Sequence, residues 1–70
     1  MNNRTKALLA LQDYNKNQIT IANELGVSRS LICRIMKQLQ DQGLVELVEA
    51  PNRRERWFTI TEKAKMEIDQ

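Results

Sequence analysis

The sequence predicts an α+β fold, mainly α: a three-helix core, a two-stranded β-hairpin and a short C-terminal helix, in a single domain over residues 1–70. Three observations predict it. Residues 18–43, QITIANELGVSRSLICRIMKQLQDQG, carry apolar side chains at helical spacing on both sides of one Gly-Val-Ser turn. Two short stretches after them, LVELVE and ERWFTI, alternate as strands do and flank a turn-forming Pro and Asn. A further apolar stripe precedes the unit, at Ala7, Leu8, Leu11 and Tyr14.

Bulk properties set the frame. A chain of 70 residues has room for one domain. At this size only about 60% of the unfolded surface is buried, so stability is modest. With 41% hydrophobic residues and both signs of charge, the composition is that of a soluble globular domain. A net charge of +2 is too small to indicate a nucleic-acid partner by itself, so the placement of charge must carry that reading. No apolar run approaches the ~20 residues of a membrane span, and no signal-peptide core is visible. One cysteine is consistent with a reducing cytoplasm. A single Cys and no His leave a transition metal without a ligand set, so neither metal nor cofactor is expected.

Residues 1–3 read as a loose polar tail. The first helix is expected over residues 4–13, capped by Asn3 or Thr5, with the apolar stripe turned inward. Leu9 falls off that stripe and is expected to be exposed, either as a dimer contact or as a lone surface Leu with no role. Residues 14–17 form an Asn-rich turn. Asn17 is placed to cap a second helix, residues 18–25, with Ile21, Ala22 and Leu25 on its inner face. Small Ala22 lets a crossing helix approach. Gly26 can take the left-handed conformation that ends a helix. Val27 fills the gap under the turn, and Ser28 is an N-cap for the next helix.

The third helix is expected over residues 29–42. At about 100° per residue, Ile32, Ile35, Met36 and Leu39 share one inward arc. Ser30, Cys33, Arg34 and Lys37 share the opposite arc, with Arg29 at its start. Asp41 lies further along toward that arc and marks where the helix would leave an anionic partner. Gly43 ends the helix at a C-cap position. Strands over residues 44–49 and 55–60 then make a hairpin around residues 50–54. Val45 and Leu47 are expected to share one face, and Phe58 and Ile60 to face the core. Trp57 lies on the other face, packed across the hairpin on Val48 or stacked on a partner. Thr61 caps a last helix, residues 63–68, with Ala64 and Ile68 inward and Met66 to one side.

Two helices crossing at such a turn form a helix-turn-helix unit, whose second helix lies in the major groove of duplex DNA. A hairpin directly after it is a wing. The candidate DNA-binding residues are therefore Arg29, Ser30, Arg34 and Lys37 on the helix and Asn52, Arg53, Arg54 and Arg56 on the wing. Arginine can grip guanine in a bidentate way, and lysine serves base or phosphate. Wing arginines suit phosphates or a narrow A·T minor groove. The plain alternative is a solvated surface, but three Arg within residues 53–56 exceed what solubility needs. Cys33 on the exposed arc is either a redox-sensitive thiol or a small side chain that fits the groove wall.

The words LGVSRSLICRIMKQLQDQGLV, PNRRER and FTITEKA resemble the winged helix-turn-helix core of the MarR family of bacterial regulators, from Asn17 to about Met66. Asn52 stands where that family usually has an acidic residue, and Ala64 where it usually has Gly. Members dimerise through extra helices at both ends and bind effectors near that interface. The 70 residues hold neither extension. The resemblance therefore implies the fold and the DNA-binding residues Ser30, Arg34, Lys37, Arg53 and Arg54, and not the dimer or the effector site.

The expected function is a cytoplasmic, sequence-specific transcriptional regulator with double-stranded DNA as its partner. A module with so few basic contacts is expected to act as a homodimer or at paired half-sites roughly one helical turn, about 34 Å, apart. A second reading is a protein-interaction module using Trp57, Leu9 and the last helix, since function does not follow from fold. Recognition of RNA or left-handed DNA is a third, though readers of single-stranded RNA usually carry more stacking aromatics. An enzyme is not expected: Ser28 and Ser30 have no histidine base, and no Gly-rich phosphate loop is present.

Overall fold

The computed structural model describes residues 2–12, 15–49 and 55–68. Its elements run α1 (Asn3–Ala10), β1 (Lys16–Asn17), α2 (Gln18–Leu25), α3 (Arg29–Asp41), β2 (Val45–Val48), β3 (Trp57–Ile60) and α4 (Glu62–Ile68). Three helices pack around one core, with a small sheet beside them and α4 closing against α1. No helix among the described residues is long and apolar enough to cross a membrane.

The helices begin where a side chain can accept the first free amides. Asn17 Oδ1 accepts from Thr20 N at 2.8 Å, and Ser28 Oγ accepts from Leu31 N at 3.1 Å. The first helix starts earlier than its apolar stripe suggests. Asn2, in extended backbone, accepts from Thr5 N at 2.8 Å, so the cap is neither Asn3 nor Thr5. Three Asx or Thr residues lie close together there, and Asn2 is the one that leaves Asn3 free to enter the helix. Regular α-helix stops at Ala10, where the amides of Leu11 and Gln12 turn back by three residues to Leu8 O and Leu9 O. Tyr14 lies outside the described residues.

Both glycines sit where positive φ is needed. Gly26 (φ 68°) closes α2, and Val27 N reaches back to Ala22 O at 3.0 Å. Gly43 (φ 74°) follows the C-cap Gln42 rather than occupying it. Gly43 N bonds Gln40 O and Leu44 N bonds Leu39 O, the paired closure of a Schellman motif. Its apolar contact is present too, since Leu39 and Leu44 are both buried in the core.

The core joins Ala7, Leu8 and Leu11 to Ile21, Ala22, Ile32, Ile35, Met36, Leu39, Val45, Phe58, Ile60 and Ala64. Val27 and Ile68 pack on it as partly buried residues, and so does Leu25. The inward arc of the third helix is thus as expected from its spacing. Leu9 is half-buried, not exposed.

The sheet differs from a plain hairpin. β2 and β3 pair antiparallel, with Val45 opposite Ile60, Leu47 opposite Phe58 and Val48 opposite Trp57. A third strand, β1, joins the other side of β3, Lys16 opposite Phe58 and Asn17 opposite Trp57, in the order β1-β3-β2. Leu47 shares a face with Val45 but is 49% exposed. Alternation placed the side chain on the Val45 face, but there it borders an open cleft beside Met36, Lys37 and Gln40 of α3 rather than the closed core.

Candidate nucleic-acid interface

The burial of Ile32, Ile35, Met36 and Leu39 fixes the rotation of α3 about its axis. The opposite arc is then forced outward, and Arg29, Ser30, Cys33, Arg34 and Lys37 are all exposed. Asp41 is exposed at the far end of the helix. None of the cations Arg29, Arg34 and Lys37 has a hydrogen bond or ion pair among the described residues. The ion pairs formed there lie elsewhere: Lys16 with Glu24 at 2.8 Å and Lys65 with Glu62 at 3.5 Å.

The base of the hairpin is tied through backbone to α2, the helix before α3. Gln18 N, at the start of α2, donates to Arg56 O at 2.9 Å. That bond places the exposed Arg56 side chain on two adjoining hollows. One is shared with Ile19, Arg29 and Glu55, the other with Cys33 and Lys37. The structure therefore brings Arg29, Lys37 and Arg56 onto one face, with Ser30 and Arg34 exposed on the same helix. Asn52, Arg53 and Arg54 lie outside the described residues.

Six exposed or half-buried residues on this face were not candidates from sequence: Asn17, Gln18, Ile19, Gln40, Leu47 and Glu55. Ile19 gave a signal of a kind, because an Ile two positions from inward Ile21 must point away from the core. It is 46% exposed. Trp57 is half-buried, and its indole N–H donates to Glu55 Oε2 at 2.8 Å. Its polar edge is already engaged, and its backbone pairs with Val48 as the strand alternation predicts.

A MarR-family model matches residues 4–55. No curated protein matches the chain. Solved structures do. The crystal structure of the adhesin competence repressor AdcR from Streptococcus pyogenes superposes with a TM-score of 0.92 at 21% identity, over 99% of this chain and 51% of that one, a likeness of fold. The zinc-responsive MarR family member ZitR of Lactococcus lactis gives 0.90 at 26% identity, over 99% and 49%. The transcriptional repressor CouR, bound to a 23-mer DNA duplex, gives 0.86 at 27% identity, over 93% and 47%. The chain spans about half the length of these proteins.

Proposed function

The chain belongs to the MarR family, and from that premise we propose that it is a transcriptional regulator that binds double-stranded DNA in a sequence-specific way. One observation carries the reading: three cations with no partner among the described residues, Arg29, Lys37 and Arg56, surround a single exposed face built by α3 and the base of the hairpin. Glu55 borders the same face, but its carboxylate accepts from the Trp57 indole, and the cations outnumber it there. Such a face attracts a polyanion, and the exposed arc of α3 suits the major groove. In this reading α3 lies in that groove. Arg34 reads a base edge and Ser30 touches a base or phosphate. Arg56, with Asn52, Arg53 and Arg54, grips the flanking backbone or minor groove.

CouR, described as a repressor and solved on DNA, supports the same mode for this chain. The proposed outcome is repression by occluding a promoter in the cytoplasm. Binding as a homodimer would place half-sites about 34 Å apart.

Electrophoretic mobility against genomic and random duplexes at about 50 mM salt tests this, a salt range where phosphate contacts are strong. Retarded duplex with a preferred sequence is expected, and no retardation of any duplex contradicts it. Arg34→Ala is expected to cost about 1–3 kcal/mol on the preferred sequence and to relax the preference. Arg56→Ala is expected to weaken all duplexes alike and to flatten the salt dependence by about 0.9 in slope.

A further inference from the structure

A cleft of about 350 Å³ runs between α3 and the β2–β3 hairpin. Its floor is apolar, formed by Met36 and Phe58, which are 1% and 2% exposed. Cys33, Lys37 and Gln40 make the helix wall, and Leu47 and Arg56 the hairpin wall. Leu47 is 49% exposed and lies beside the buried Met36 and Phe58 of the floor, so the apolar strip continues from the floor onto the hairpin wall. No carboxylate lines the cleft among the described residues.

Cations on both rims with an apolar strip between them fit one kind of occupant: a chain of anions separated by apolar faces. A sugar-phosphate strand has that composition, phosphate alternating with the carbon face of deoxyribose. The proposed docking on DNA also says which strand it is. If α3 occupies the major groove and the hairpin reaches the adjacent minor groove, the backbone dividing those grooves must pass between helix and hairpin.

We propose that this cleft seats that dividing strand, with Lys37 and Arg56 on flanking phosphates and Leu47 packed on the deoxyribose between them. The inference rests on the DNA-binding reading and deepens it. Lys37 becomes a phosphate ligand. Arg34, which does not line the cleft, is left to read bases.

The test is duplex binding by Leu47→Asn, Leu47→Met and Lys37→Ala, each across a salt series and each on preferred and random sequences. Leu47→Asn is expected to weaken every duplex about fivefold, as loss of one apolar contact does, with the wild-type salt slope kept. Leu47→Met, which keeps an apolar side chain, should recover most of the affinity that Leu47→Asn loses. Lys37→Ala should weaken all sequences equally and lower the salt slope by about 0.9. Wild-type affinity in Leu47→Asn, or a loss confined to the preferred sequence, overturns the seat. So does relaxed sequence preference in Lys37→Ala, which sits on an exposed helix face and tests the idea even if Leu47→Asn unfolds. A wild-type protein that binds no duplex is a different result and removes the DNA reading itself.

Discussion

The two ends of α3 use positive charge in opposite ways. At the C-terminal end it is consumed internally. Lys63 Nζ donates to Gln42 O at 3.0 Å, Arg4 Nη2 donates to the Gln42 side chain, and Thr61 Oγ1 donates to Gly43 O at 2.7 Å. Thr61 N also bonds Leu44 O. Lys63 satisfies the carbonyl of the C-cap residue, Thr61 those of the turn after it, and cations there suit the negative end of the helix dipole. Along the outer N-terminal arc the cations Arg29, Arg34 and Lys37 have no such partners among the described residues. One end is fastened by α1 and α4, and the other is held out. A net charge of +2 could not distinguish the two uses; the placement of partners does.

The contrast predicts that substitutions separate into those that move stability and those that move affinity. The largest effect should come from the inward arc on which both ends depend. Ile32 is fully buried, so Ile32→Ala should cost about 2–5 kcal/mol of stability, measured by chemical denaturation, a large share of what a domain this small has. Ser28→Ala removes the cap that accepts from Leu31 N and should cost about 1 kcal/mol, seen as a lower melting temperature. Lys63→Ala should cost about 0.5 kcal/mol in the same assay and leave duplex affinity unchanged. Loss of affinity in Lys63→Ala at wild-type stability would break the division between the two ends.

The helix-turn-helix part was legible because its signals are local. Asn17, Gly26 and Ser28 each act within three to five residues of themselves, and the 3.6-residue repeat of Ile32, Ile35 and Leu39 sets the rotation of α3. What was hidden depends on distant partners. β1 has two residues, no β-branched side chain, and a mate some forty positions later. Arg4 meets Gln42 across 38 residues, and nothing near either announces it. Leu47 obeyed the strand alternation but faces an open cleft beside α3, a fact of packing that no repeat encodes. The α3 half of the candidate site was therefore readable from spacing. The cleft beside it was not, because it exists only once the hairpin folds back on the helix.

Backbone amide shifts recorded by NMR during titration with a preferred duplex test the central claim most directly. The account predicts the largest changes along residues 29–37 and at Gln18, Leu47 and Arg56, with α1 and α4 nearly still. Changes concentrated instead around Leu9, Met66 and the rest of the α1–α4 side would contradict it.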